Sequence, residues 1–331
     1  YTPLNGFKYV VITSDALKDS FNSFISDKIA KGLSATVVTT EYIYSNFNGV
    51  DDQEKIRNFI IWAYNNWGTQ YVLLGGDVDV IPIRYLYNPV EPLDPIPSDV
   101  YYSNLDGTFD YDNDGVYGEP NDGVDGGDID FFPDIYVGRV PAETQGEVGN
   151  FVNKVLNYVK NNTKDLKKAC MIGRQLDNVP TWGGDGKDEV AKIFPDDWVI
   201  TKFYERDGTF SKPEVISCIN SGTHFVNIFT HGDHTYGGGL TNFDVSNNLF
   251  NFTYPIIYSQ GCLNASLDIG PEDAIGELFV ILQHGGVGFI GNTRYGWYIP
   301  GAVEYGPSQI FDEEFFSVLF EENFAKLGDA F

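Results

Sequence analysis

Short β-branched runs alternate with segments of helical period along almost the whole chain, and this alternation most restricts what the chain can fold into. Residues 8–13 (KYVVIT) are followed by Leu17, Phe21, Phe24, Ile25 and Ile29 at helical spacing, then by residues 34–40 (SATVVTT). Asp51 reads as an N-cap before Ile56, Phe59, Ile60 and Ala63 on one helical face, and residues 71–74 (YVLL) run into Gly75, Gly76 and Asp77. Strand–helix–strand order predicts a parallel, doubly wound α/β sheet, because parallel neighbours need a long crossover and a helix supplies it.

The pattern resumes at residues 134–140 (DIYVGRV) and in a helix carrying Val148, Phe151, Val152, Val155, Leu156 and Val159. Further strands are expected at 168–172, 198–203, 225–230, 254–259 and 287–290. Asn161, Asn162 and Thr163 leave that helix as a boundary, giving an N-terminal α/β subdomain over 1–162 and a second over 163–331. Between Tyr87 and Asp134 the periodicity gives way to Pro, Gly and Asp, and a connection of that length is expected to be ordered by a ligand. No repeat period and no low-complexity tail is present.

Among 331 residues, 47 acidic against 21 basic side chains leave a net charge of -26, which repels nucleic acid and anionic membrane surfaces. No apolar run reaches the roughly 20 residues of a membrane helix, so no membrane insertion is expected. The start at Tyr1, without initiator Met or signal region, reads as an excised or processed segment. Three cysteines, Cys170, Cys218 and Cys262, are too few and too odd in number for a disulfide framework, so at least one thiol stays free. Cys170 and Cys218 sit in KKACMIG and EVISCIN, where a small buried hydrophobe is wanted.

Two apolar strands end in polar turns: FVNIFT runs into HGDH, with His231 and Gly232, and YPIIYSQ runs into GC, with Cys262. Side chains at the carboxyl ends of parallel strands face the ligand crevice. A thiol beside an imidazole becomes a nucleophile near neutral pH, and the amides of Gly232 and Cys262 could hold an oxyanion. Taken alone, the same residues also describe a buried inert thiol; the strand-end context favours acyl transfer. His224, His234 and His284 are the competing histidines.

The stretches LLGGDVDVIPIRY, SDVYYSNLDG, DIYVGRVP, FTHGD, YSQGC and GFIGNTRYGW, in this order, resemble the gingipain family of cysteine peptidases, related in fold to caspases. The resemblance implies two side-by-side doubly wound, mainly parallel sheets with flanking helices. It puts the catalytic histidine at His231 and the nucleophile at Cys262. The family's further acidic residue maps to CMIGRQLD, where Gln175 replaces a Glu and Asp177 lies close by. A neutral amide can orient an imidazole but stabilises imidazolium less than a carboxylate does. The best-known members cleave after Arg or Lys, and TWGGDGKDE offers Asp185 or Asp188 for the acid of that pocket, Asp185 being preferred. Trp297 matches the pocket's aromatic wall, with a half-buried core Trp as the plain alternative. The expectation is a secreted or cell-surface, monomeric cysteine endopeptidase acting on protein or peptide substrates through a thioacyl-enzyme. A transpeptidase or sortase-like enzyme is one alternative; a calcium-stabilised, non-catalytic binding module, suggested by Gln175, is another.

In the 87–134 segment, Asp110, Asp112 and Asp114 alternate and are followed by Gly115, Val116 and Glu119. This opens like an EF-hand loop with its Glu two positions early, so a calcium site with the Val116 carbonyl as a further ligand is expected, not a true EF-hand. Asp122, Asp125, Asp128 and Asp130 could complete it or form another; a merely solvated acidic loop is the alternative. The ion's role would be structural, ordering a segment that otherwise lacks a core.

Overall fold

The computed structural model describes residues 6–129, 131–161, 166–322, 324 and 327–330; Asp130 and the boundary expected at Asn162 and Thr163 lie outside them. Contacts divide the chain into two compact units, Tyr1–Val152 and Asn153–Phe331. Each is built on a parallel sheet with helices as crossovers, a caspase-like α/β arrangement.

In the first unit β1 (Tyr9–Thr13), β2 (Ala35–Thr39), β3 (Tyr71–Gly75) and β4 (Tyr136–Val140) stand in the order β2-β1-β3-β4, all pairs parallel. α1 (Asn22–Ala30) links β1 to β2; α2 (Thr40–Asn46) and α3 (Asp52–Trp67) link β2 to β3. Asp51 caps α3 by accepting the Glu54 amide at 2.8 Å, and its carboxylate also takes both Nη atoms of Arg84.

The 87–134 segment is not without a core, contrary to expectation: it packs into the cluster built by Val10, Ile12, Ile56 and Phe59. Its Tyr101, Tyr102 and Phe109 are fully buried in that shared cluster. Arg57 of α3 donates to the carbonyls of Tyr101 (2.9 Å), Asn104 (3.0 Å), Asp106 (2.8 Å) and Gly107 (3.2 Å). One planar guanidinium thus satisfies backbone acceptors that a strand ladder would otherwise take up. Tyr101 and Tyr102 sit in a single helical turn, Val100–Ser103, and Phe109 in a loop, so the segment's aromatics leave no period in the sequence.

In the second unit β5 (Lys168–Gly173), β6 (Val199–Tyr204), β7 (Phe225–Phe229), β8 (Ile256–Ser259) and β9 (Gly288–Gly291) stand in the order β6-β5-β7-β8-β9, again parallel. Alternate strand residues face opposite layers. Cys170, Ile172, Val226, Ile228 and Ile257 pack on α6 (Lys212–Asn220), α7 (Asn242–Asn248) and α8 (Ile275–Ile281). Ala169, Met171, Phe225 and Tyr258 pack on α5 (Gly183–Ile193) and α9 (Pro307–Phe320). Cys170 of β5 and Cys218 of α6, expected as separate buried hydrophobes, form a disulfide, because strand and helix pack face to face with their Cα atoms 6.7 Å apart. No helix among the described residues is long and apolar enough to cross a membrane.

α4 (Gln145–Asn161) carries Lys154 into the second unit, where the side chain is fully buried and donates to the Phe279 carbonyl at 2.8 Å. No carboxylate among the described residues pairs with it, and burial pushes its ammonium down to about 7. With the folded value below the unfolded one, the unfolded chain binds more protons between about pH 7 and 10.4, so stability rises with pH across that window. The stability of Lys154→Met relative to the wild type is therefore greatest at pH 7 and falls by up to about 1.4 kcal/mol per unit above it. Urea titrations of both proteins at pH 7 and 9.5 measure this; a pH-independent difference would refute the buried, discharged lysine.

Candidate active site

β7 and β8 are paired in register at Ile228 and Ser259, and His231 and Cys262 each lie three residues beyond that pair. Equal offsets from adjoining parallel strands bring the two residues to the same edge of the sheet. The amide of Gln260 donates to the Ile228 carbonyl at 3.0 Å, extending the ladder toward Cys262. The turns that follow touch: a Cβ placed on Gly232 would lie 2.7 Å from the Cys262 carbonyl, so only glycine admits this approach.

Asn264, fully buried, ties the turns together. Its amide nitrogen donates to the carbonyls of Asp233 (2.9 Å), Tyr236 (2.8 Å) and Cys262 (3.2 Å), and its oxygen accepts the Ser259 hydroxyl at 2.8 Å. Leu263, next to the thiol, has φ +57°, a left-handed conformation held by its amide donating to the Arg294 carbonyl at 2.7 Å. Arg294 is itself pinned by Asp268 at 2.9 and 2.7 Å.

His231 is exposed, with Nε2 2.8 Å from the Leu176 carbonyl. A carbonyl only accepts, so Nε2 carries the proton and Nδ1 is left as the basic nitrogen. The Tyr298 hydroxyl donates to the same carbonyl at 2.8 Å, and its ring stands edge-on to the imidazole at 6.3 Å. Burial, then the Asp177 carboxylate, then Cys262 push the Tyr298 hydroxyl above its usual value. Half-buried Cys262 directs Sγ toward the Gly296 carbonyl at 3.9 Å. Among the described residues neither the Gly232 nor the Cys262 amide has a hydrogen-bond partner, which leaves both as donors.

Gln175 is exposed and turns its amide to the Asp177 carbonyl at 3.0 Å, while its backbone nitrogen donates to Glu205 at 2.8 Å. Asp185 and Asp188 are both engaged by Arg206, and Asp188 also by Lys202. Asp185 borders a hollow of about 630 Å³ lined as well by Glu189, Glu304, Tyr305 and Glu313. Lys192 pairs with Glu189, whereas Glu304 and Glu313 have no cationic partner among the described residues. Trp297 is half exposed, its amide donating to Ser308 Oγ at 2.8 Å.

Of the other histidines, His234 is held by Ser266 Oγ (2.9 Å) and the Glu272 carbonyl (2.5 Å), His224 by the Tyr158 hydroxyl (2.8 Å) and His284 by the Asn251 carbonyl (2.9 Å). Sequence reasoning missed Asn264, two positions past the thiol, and Tyr298, immediately after Trp297. It also missed the Leu176 carbonyl, which no side chain announces.

In the acidic loop, Asp110, Asp112 and Asp122 bring carboxylate oxygens within 4.8 Å of one another. All three also accept backbone amides, Asp110 from Asp114 and Gly115, Asp112 from Asp114 and Asp122 from Tyr111, while Asp114, outside the cluster, accepts the Val116 amide at 2.8 Å. Loss of solvent and the charges of Asp114, Asp122, Asp112 and Asp110 push the Glu119 carboxyl up. An all-oxygen, multiply charged donor set fits a hard cation such as calcium.

A model of peptidase family C25 matches residues 2–331. Lys-gingipain of Porphyromonas gingivalis is 23% identical over 332 residues, 92% of this chain, which spans 17% of that protein's length. An uncharacterized protein of Archaeoglobus fulgidus is 22% identical over 86% of this chain and 75% of its own. The crystal structure of the Arg-specific cysteine proteinase gingipain R matches all of this chain and 77% of its own at TM-score 0.73 and 20% identity. The complex of RgpB pro- and mature domains from Porphyromonas gingivalis matches 94% of this chain and 68% of its own at TM-score 0.71, also with 20% identity. At such identities the structural likeness establishes the fold.

Removing the Asn264 amide takes the partner from the Cys262 carbonyl and from the Ser259 hydroxyl, at about 1–3 kcal/mol each, while the Asp233 and Tyr236 carbonyls keep each other's backbone amides. Asn264→Ala is therefore expected to lose about 2–4 kcal/mol in urea unfolding at unchanged m. A loss below about 0.5 kcal/mol would show that the turns hold without it.

Proposed function

Because the chain belongs to peptidase family C25, a family of cysteine peptidases, we propose that it is an endopeptidase in which Cys262 is the nucleophile and His231 its proton acceptor and donor. The observation that carries this reading is the pair of equal strand-end offsets, bridged by Asn264.

The thiol proton passes to Nδ1 of His231, and Sγ attacks the scissile carbonyl carbon. The carbonyl oxygen gains negative charge and is held by the Gly232 and Cys262 amides. The tetrahedral adduct collapses as Nδ1–H protonates the leaving amine, the C–N bond breaks and a thioester remains. Water, deprotonated by His231, then displaces sulfur and releases the carboxylic acid. We assign the orienting of the imidazole to the Leu176 carbonyl rather than to the Gln175 side chain, which is engaged with Asp177. A carbonyl dipole fixes the tautomer while stabilising imidazolium less than a carboxylate would.

A basic P1 residue is the substrate preference we propose, and the acidic hollow supports it. Gly296 meets the thiol, and Gly301, at the hollow, follows within at most roughly 18 Å of chain. Glu304 and Glu313 carry the uncompensated charge there, since Arg206 already engages Asp185. Trp297 would wall the approach. The Cys170–Cys218 disulfide supports a secreted or cell-surface location, because such bonds persist in oxidising compartments. We further propose a structural calcium ion on Asp110, Asp112 and Asp122.

Cys262→Ala and His231→Ala should each lower kcat/KM on a basic-P1 fluorogenic peptide by at least about a thousandfold. An acyloxymethyl ketone should label the wild type and spare Cys262→Ala. Hydrolysis surviving in Cys262→Ala would remove this sulfur from the mechanism. Separately, calcium at a hundred times its Kd contributes about 2.7 kcal/mol, so EGTA should lower Tm by roughly 5 °C. An unchanged Tm, together with no terbium luminescence sensitised by nearby tyrosines, would dispose of the calcium site.

A further inference from the structure

What fixes the Leu176 carbonyl also fixes His231, because that carbonyl is the hydrogen-bond partner of the imidazole. Leu176 lies in a short antiparallel hairpin, Gln175–Asp177 against Thr181–Trp182. A register shift between Gln175 and Asp177 leaves Leu176 without a Cα partner in that ladder. The Tyr298 hydroxyl meets its carbonyl instead, at 2.8 Å, equal to the distance from His231 Nε2. A carbonyl oxygen offers two lone pairs, and these two donors take both. The ring of Tyr298 packs on the buried cluster of Leu176, Phe229 and Val303.

Tyr298 is held in its turn. The Trp297 amide donates to Ser308 Oγ at 2.8 Å, and the Trp297 carbonyl accepts the Ser308 amide at 3.2 Å. Three residues after Tyr298, the Gly301 amide donates at 2.7 Å to Oγ1 of Thr181, in the same hairpin as Leu176. A Cβ on Gly306 would lie 2.9 Å from Tyr298 Cα, so glycine there admits the close approach of the two backbones. Two residues before Tyr298, the Gly296 carbonyl meets the thiol. One stretch of chain, residues 296–301, therefore touches the sulfur at one point and the anchor of the imidazole at another. Burial and then the Asp177 carboxylate keep the Tyr298 hydroxyl above its usual value, so it stays a donor across neutral pH.

We infer that Tyr298 is a positioning residue for proton transfer between Cys262 and His231. Its hydroxyl holds the Leu176 carbonyl where that carbonyl keeps Nε2 protonated and Nδ1 basic. The proton moves from Sγ to Nδ1, and the O–H bond of Tyr298 stays intact throughout. The chain thereby gains an orienting group although the Gln175 amide is turned to Asp177. The inference rests on the pairing of Cys262 with His231 in the peptidase reading.

Tyr298→Phe tests it, since the ring keeps its packing and only the hydroxyl is lost; its Tm should stay within about 3 °C of the wild type. The first readout needs no substrate: alkylation of Cys262 by iodoacetamide in the full chain with its disulfide intact. At pH 6.5 the rate should fall about fivefold in Tyr298→Phe and further in His231→Ala. Near pH 10, where the thiol ionises unaided, the three rates should converge. The second readout is turnover of the basic-P1 fluorogenic peptide, for which Tyr298→Phe should lower kcat about fivefold and leave KM within twofold. Alkylation and kcat both within twofold of the wild type in Tyr298→Phe, with His231→Ala strongly impaired, would overturn the role of Tyr298 and leave the peptidase reading intact. Alkylation at pH 6.5 indifferent to His231→Ala would instead remove the pairing itself. A wild type that does not hydrolyse the peptide, yet needs both His231 and the Tyr298 hydroxyl for fast alkylation, refutes hydrolysis and supports the positioning role.

Discussion

The amide of Asn264 reaches carbonyls in two turns that local forces alone would not hold together. Parallel pairing of β7 and β8, with the Gln260 amide on the Ile228 carbonyl as its last rung, aligns the strands no further than Gln260. Beyond that rung the pairing alone would let each chain diverge, and the imidazole and thiol with them. Three carbonyls drawn to one buried nitrogen, with the Ser259 hydroxyl fixing the other end of the amide, prevent this. The contact of Gly232 with Cys262 and the left-handed turn at Leu263 are both compatible with that tie.

Beneath this edge the sheet is braced by ionised groups. Lys187 of α5 and Asp312 of α9, both wholly buried, form an ion pair, and Asn227 of β7 bonds to each of them. Burial pulls the lysine down while Asp312 opposes the shift. Such a pair adds little net stability over a well-packed apolar core, but removing one member strands the other in a medium that cannot solvate it. Its effect is positional. Gln260 and Gln309 join the pair, so the strand end before the thiol is referenced to two helices.

Much of the fold was legible because its cues are local. The nine strands of the two parallel sheets fall within a residue or two of the runs that mark them, and Asp51 caps the helix it precedes. Residues that act through space left no such cue. Arg57 meets Tyr101 across 44 positions, and Cys170 meets Cys218 across 48, so neither partnership could be read from spacing. The histidine's support illustrates the finer limit: Gln175 drew notice for its side chain, whereas the contact comes from the backbone one residue on, at Leu176. In the acidic loop the alternation of carboxylates was evident, but Asp122 joins Asp110 and Asp112 only once the chain has folded back.

The bond between Cys170 and Cys218 uses two of the chain's three cysteines. A folded molecule therefore exposes a single kind of sulfhydryl, at Cys262. The stoichiometry of any thiol-specific dye then counts intact sites directly, without a substrate, and a ratio above one reports reduction of the β5–α6 bridge instead of contamination.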